Sequence, residues 1–242
     1  MAGSNCGSKI NYVFDVDGTL TPSRGLIDPE FKSFFLDFIK HHDVHIVTGG
    51  SYEHTVQQLG EDIAHGVEMV FNCSGNVITS KGQRLYESTW TLPNDLYEYL
   101  ANYLERSPYP TKTGKHFDER CGMVNFSVVG RNTVGSQRSD YYQWDCVNRE
   151  RTTLAEYINK FWPEVEAVEG GETGIDIFKR GCDKSQIIKH LTGDIYFYGD
   201  RIDPLGNDWN IAQNIIASDR GLCYNVKSWK DTFNLLKAIH TN

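Results

Sequence analysis

Short apolar runs rich in β-formers, each followed by a helical pattern, recur at both ends of this chain and lose their rhythm in its middle. That interruption constrains the fold more than any other feature. Ile10–Phe14 is a five-residue run that stops at Asp15 and predicts a buried strand of a parallel sheet. Pro29 to Lys40 sets Phe31, Phe34, Phe35, Phe38 and Ile39 on one helical face, with Pro29 at the start. Val44 to Val47 and Met69 to Phe71 read as strands, with a helix from Ser51 to about Leu59 between them. Val77–Thr79 and Gln83–Tyr86 flank Lys81-Gly82 as a hairpin. The rhythm returns after Asp183: a helix capped by Asp183 to about Leu191, a strand at Ile195–Tyr198, a helix at Asn207–Ala217, a strand at Gly221–Tyr224 and a helix at Ser228–Ile239. Between them, Pro93–Arg106 and Arg151–Phe161 read as helices. Met123–Val129, Val165–Val168 and Gly174–Lys179 read as strands without β-α alternation. The expectation is an α/β protein. A doubly wound, Rossmann-like parallel-sheet core would be built from residues 1–86 and 184–242, and an α+β cap would be inserted at 87–183.

With 24 basic and 32 acidic residues, the net charge of −8 disfavours nucleic acid and anionic membranes as partners. No stretch approaches the ~20 apolar residues of a membrane span. Met1 to Ser8 is small and polar, without the apolar core of a signal peptide, and reads as a frayed end. The six cysteines, at 6, 73, 121, 146, 182 and 223, form no C-x-x-C pair. They read as free thiols of a reducing, cytoplasmic compartment.

Four pieces fall at the carboxyl ends of the core strands, the edge where open parallel sheets bind ligands. Asp15-Val16-Asp17-Gly18-Thr19 sets two carboxylates two residues apart just past a strand. One is placed to attack phosphorus and the other to shuttle a proton, while Gly18 lets the backbone turn tightly. The competing account is an ordinary strand exit with a turn glycine. Thr48, followed by Gly49-Gly50-Ser51, offers a hydroxyl and amides at a helix N-terminus, an anion site, although Ser51 as a plain cap explains part of it. Lys184 opens its helix, where a cation offsets packed negative charge; a solvated surface lysine is the alternative. Tyr198-Gly199-Asp200 and then Asn207-Asp208 add acids, of which Asn207-Asp208 also reads as a helix cap. Asp15, Asp200 and the Asp17 carbonyl offer the oxygen-only set that Mg2+ takes.

In this order the pieces resemble the haloacid dehalogenase superfamily, with its D-x-D-G-T, Thr/Ser, Lys and G-D signature. The second acid, Asp17, points to its phosphatases and mutases. The middle segment narrows the likeness. Arg120-Cys-Gly-Met-Val-Asn-Phe-Ser127, Gly130-Arg131, Arg138, Gly170-Gly171, Ile175-Asp176-Ile177-Phe178 and Gly181-Cys-Asp-Lys184 are similar to the lid of eukaryotic-type phosphomannomutases. The core motifs agree over nearly the full chain. The resemblance implies Asp15 as nucleophile and Asp17 as acid/base, with Lys184 and Thr48 completing the catalytic set. It implies substrate binding by Arg24, Arg120, Arg131, Arg138 and Asp176, with Gly174 at the family's lid serine. Asp15, Asp17 and Asp200 would be the magnesium ligands. It further implies a sugar-phosphate substrate, interconversion of mannose 6-phosphate and mannose 1-phosphate on the route to GDP-mannose, a hexose bisphosphate activator, and a homodimer formed through the cap.

The chain departs from the pattern at Gly174, at Thr48, where the family is apolar, and at Cys73-Ser74 in place of Glu-Asn. A magnesium-dependent phosphatase of sugar phosphates or related monoesters is therefore the alternative. A silent phosphate-binding protein is a third reading, disfavoured by the intact Asp15, Asp17, Lys184 and Asp200. His41, His42 and His45 are explained by a helix end and a strand start rather than by metal. Tyr97, Tyr99, Tyr103 and Tyr109 suit a lid core or subunit face.

Overall fold

The computed structural model describes residues 9–204 and 206–240; the frayed end expected at Met1 to Ser8 and the thiol of Cys6 lie outside the described residues. Contacts divide the chain into two compact units. One runs to Tyr86 and resumes with Lys184–Pro204 and the segment from Asp208; the other is centred on Glu87–Asp183.

The first unit holds β1 (Ile10–Phe14), α1 (Pro29–His41), β2 (Asp43–Val47), α2 (Tyr52–Leu59), α3 (Glu61–Gly66), β3 (Met69–Asn72), β4 (Val77–Ser80) and β5 (Gln83–Glu87). The second holds α4 (Asn94–Arg106), β6 (Phe117–Arg120), β7 (Met123–Phe126), α5 (Gln137–Asn148), α6 (Glu150–Phe161), β8 (Val165–Gly170) and β9 (Gly174–Lys179). The first unit then continues with β10 (Asp194–Gly199), α7 (Trp209–Ala217), β11 (Gly221–Asn225) and α8 (Trp229–His240).

The large sheet has the order β11-β10-β1-β2-β3-β4-β5. Its first five strands are parallel, and β4 turns back antiparallel on β3. Side chains alternate across the pleat. Tyr12, Phe14, Val44, Ile46 and Tyr198 enter a core with Phe31, Phe35, Phe38, Phe233 and Leu236, contributed by α1 and α8. Val13, Val47, Ile195 and Phe197 enter a second core on the opposite face with Ile211, Ala212 and Ile215 of α7. Burial on both faces is why these strands read as continuous apolar runs. The spacing of Phe31, Phe35 and Phe38 keeps one stripe of α1 fully buried. Asp28 starts α1 by accepting the backbone N–H groups of Glu30 and Phe31.

The small sheet is antiparallel, in the order β6-β7-β9-β8. Phe126, Ile175 and Ile177 pack with Leu96, Leu100, Leu154 and Ile158 of the unit's helices. Asp118, Asn125 and Asp176 are successive cross-strand partners on the other face, a polar row.

Several sequence expectations are corrected. Lys184–His190 is a 3-10 helix, not the α-helix expected to run to Leu191. The strand expected to reach Val129 stops at Phe126, although the Ser127 backbone N–H still donates to the His116 carbonyl in the register of the β6–β7 pair. The helix expected from Asn207 starts at Trp209. Strand β6 and helices α3 and α5 were not anticipated.

Candidate active site

Register places the core residues. Phe14 lies opposite Tyr198 on one side and Ile46 on the other, so Asp15, Thr48 and Asp200 all emerge at one carboxyl edge. The strand order reverses beside β1, which makes this edge the switch-point crevice of a doubly wound sheet. The Asp15 backbone N–H still donates to the Tyr198 carbonyl at 2.9 Å, which fixes the root of its side chain.

Asp15 is 4% exposed and Lys184 2%. Lys184 Nζ lies 2.6 Å from Asp15 Oδ1 and 2.7 Å from Asp208 Oδ1. The surface-lysine alternative is thereby removed. Burial pulls the Lys184 ammonium down, but the carboxylates of Asp15 and Asp208 outweigh it and hold the group cationic, with its pKa raised. Burial pushes the Asp15 carboxyl well up, against the opposing pull of Lys184. Asp200 is pushed up to about 6, first by burial and then by Asp208. Asp208 stands at the N-cap position of α7, but its side chain makes no cap hydrogen bond; its carboxylate serves Lys184 and the Arg201 backbone instead.

Asp15, Asp200 and Asp208 present oxygens within 4.8 Å of one another. Three carboxylates face one ammonium there, and a hard divalent cation with oxygen ligands suits that donor set. Gly18 makes the crowding possible. It sits at φ +78°, and a Cβ on it would run into the Asp200 carboxylate.

Asp17 Oδ1 accepts the Arg24 backbone N–H and the Gln58 side-chain amide. The Arg24 side chain is exposed. Thr48 is buried, and its Oγ1 accepts the Gly50 N–H at 3.1 Å, so that amide is engaged within the loop. Ser51 caps α2 by accepting from His54 N. Cys73 and Ser74, the pair replacing the expected Glu-Asn, take positive φ in succession. Their backbone N–H groups donate to the carbonyls of Gly50 and Thr48.

In the second unit, Arg120 and Arg131 converge on one carboxylate, that of Asp118, at 2.8 and 2.6 Å. Asp118 is desolvated, yet the two guanidinium groups hold its carboxyl below the usual range. Arg138 pairs with Glu172 at 2.7 Å. Asp176 Oδ1 accepts from Asn125 Nδ2 at 2.6 Å, and the buried Asn125 Oδ1 has no hydrogen-bond partner. Gly174 is buried, and any side chain there would strike the Asn125 amide. Thr173 is buried as well, and its carbonyl accepts from Ser127.

Gln58, Asp118 and Asn125 were not singled out from sequence. A faint signal existed for Asp118, two residues before Arg120 on the same face of a strand. Among the described residues, the histidines contribute to no group of three or more potential metal ligands.

A buried carboxylate paired with a buried lysine, beside clustered acids at the switch point of this sheet, belongs to a haloacid dehalogenase-type phosphoryl-transfer enzyme. Solved structures agree on the fold. An IMP-nucleotidase from Plasmodium falciparum superposes with a TM-score of 0.65 at 15% identity, over 97% of this chain and 68% of that one. A trehalose-6-phosphate phosphatase related protein does so at 0.59 and 19%, over 96% and 97%. The sequence pattern described as eukaryotic phosphomannomutase matches residues 31–242, and the chain belongs to that family. Its curated relatives include a phosphomannomutase of Drosophila melanogaster, 27% identical over 96% of this chain and 95% of the relative. Phosphomannomutase 1 of Dictyostelium discoideum is 29% identical over 94% and 95%.

Proposed function

We propose that the protein interconverts mannose 6-phosphate and mannose 1-phosphate through an aspartyl-phosphate and a hexose bisphosphate. The observation that carries this is the buried Asp15–Lys184–Asp208 contact at the end of the central strand, in a chain with the family's pattern over residues 31–242. Lys184 holds Asp15 Oδ1, which leaves Oδ2 to attack phosphorus. Asp17 protonates the departing sugar oxygen and takes a proton back from the hydroxyl that receives the phosphoryl group. Lys184 stays charged throughout and offsets the negative charge gathered at Asp15.

Asp15 and Asp200, with the Asp17 carbonyl, are the residues to hold Mg2+, and Asp208 shares the cluster. Bound there, the ion neutralises and orients the phosphoryl oxygens. Arg24, Arg120, Arg131 and Arg138 bind phosphate in this scheme, and Asp176 binds sugar hydroxyls. Asp118 and Glu172 keep three of these arginines extended and ordered before an anion arrives. Thr48 orders the loop behind the nucleophile. Free thiols at the described cysteines suit a cytoplasmic enzyme supplying GDP-mannose synthesis. No helix among the described residues is long and apolar enough to cross a membrane. Exposed Tyr97, Tyr157 and Phe161 on the second unit suit a homodimer through the cap.

The test is a 31P NMR time course with mannose 1-phosphate, Mg2+ and catalytic hexose bisphosphate, on wild type and Arg138→Ala. Wild type is expected to build 6-phosphate with little free phosphate, and EDTA to stop it. A charge-assisted contact is worth about 1.5–3 kcal/mol, or roughly 10- to 150-fold in affinity. Arg138→Ala should therefore release the bisphosphate, so that isomerisation collapses while slow phosphate release persists. Free phosphate alone from wild type, unchanged in Arg138→Ala, would replace the mutase with the phosphatase.

A further inference from the structure

Gln58 lies in the last turn of α2, three residues after the buried Thr55, on the side of the helix that faces the loop after β1. Its Nε2 donates to Asp17 Oδ1 at 2.9 Å and lies 3.4 Å from both Thr21 Oγ1 and the Gly25 carbonyl. Its own backbone carbonyl accepts the Ile27 N–H at 2.9 Å. One residue thus clasps the segment from Asp17 to Ile27 at four points. A second donor reaches the same carboxylate oxygen. The Arg24 N–H is aimed at Asp17 Oδ1 by a left-handed backbone, φ +56°.

A free carboxyl turns easily about its terminal torsion and presents either oxygen. Here two N–H donors fall on Oδ1, and each favours an oxygen that carries no proton. The acid proton therefore belongs on Oδ2, and the carboxyl plane is held. We propose that Gln58 is the positioning residue for proton transfer by Asp17, holding Oδ1 so that Oδ2 alone exchanges protons with the substrate oxygen. This rests on Asp17 being the acid/base. In the first half-reaction Asp15 Oδ2 bonds to phosphorus, and the bond from phosphorus to the leaving oxygen breaks with its electron pair on that oxygen. The proton on Asp17 Oδ2 moves to it, leaving a carboxylate. The return step reverses each transfer, with the incoming hydroxyl giving its proton to Oδ2.

The experiment measures single-turnover phosphorylation of the full-length enzyme, with Mg2+, by a series of aryl phosphates of increasing leaving-group basicity. Wild type, Gln58→Met and Asp17→Asn are compared. Methionine keeps the length of the side chain and removes the donor. A good leaving group departs without a proton, whereas a poor one needs it. Gln58→Met is expected to lose about 10-fold more rate on the poorest leaving group than on the best, the worth of one charged hydrogen bond. Asp17→Asn is expected to show a steeper dependence still. The ratio across the series is independent of how much protein is folded. An equal loss on every substrate, or no loss, overturns the role of Gln58 when Asp17→Asn remains steep. If Asp17→Asn shows no dependence on the leaving group either, the acid/base assignment of Asp17 falls first and takes the proposal with it.

Discussion

His45 sits in β2, 2% exposed, with Nε2 3.2 Å from Asn11 Oδ1. The Asn11 amide nitrogen donates to the carbonyls of Thr192 and Asp194, so its oxygen is the acceptor and His45 Nε2 carries the proton. Nδ1 is buried without a partner. Burial, with Lys9 adding to it, pulls the ring down to about 4. The unfolded chain binds this proton near pH 6.5 and the folded one only near 4. Stability is then full above pH 6.5 and is lost as pH falls through that window, by about 3 kcal/mol at its lower end. Urea titrations of wild type and His45→Gln between pH 7 and 4 check this: the wild-type curve should fall away from that of the variant, and parallel curves would contradict it. Asp15, Asp17 and Asp200 were legible because acids that follow apolar strands have few structural uses. Gln58 and Asp118 were not, because a polar residue on a surface helix or an edge strand gains its meaning only from what it touches. Asp208 was half legible, since a helix cap and a lysine partner call for the same residue type.

At the scale of elements, α1 shows how much local sequence decides. Asp28 holds two otherwise orphaned N–H groups, Pro29 opens the first turn and the phenylalanine stripe does the rest. Asp28→Ala should cost about 1 kcal/mol of unfolding free energy, read as a shift of the urea midpoint at constant slope. An unshifted midpoint would mean that packing alone sets this helix. The elements that escaped sequence reading share a cause. Strand β6 reads Phe-Asp-Glu-Arg and has no fully buried residue, so it carries no apolar alternation. Helix α5 buries only Tyr141 and Asp145 among its described residues, too little for a helical stripe. Around Lys184 the pattern of a helix was visible, but not the tighter winding that two buried carboxylates on Nζ accompany.

Across the whole molecule, each buried cluster stays within one unit. Among the described residues, the clusters flanking the large sheet draw none from 87–183, and the cluster behind the small sheet draws none from outside that segment. A segment with its own core and antiparallel sheet should fold by itself. Residues 87–183, expressed alone, are expected to melt cooperatively with dispersed amide resonances; a disordered spectrum would show that this unit depends on the rest of the chain. The first unit has no such independence in sequence. Lys184 meets Asp15 across a separation of 169 residues, and β1 finds its β10 partner equally late. On a ribosome, which releases the N-terminus first, the second unit therefore emerges as one finished piece while the strand that ends at Asp15 still waits with one edge bare. Asp15 is made early and meets its lysine last, so a chain cut short during synthesis can carry a folded second unit but no Asp15–Lys184 pair.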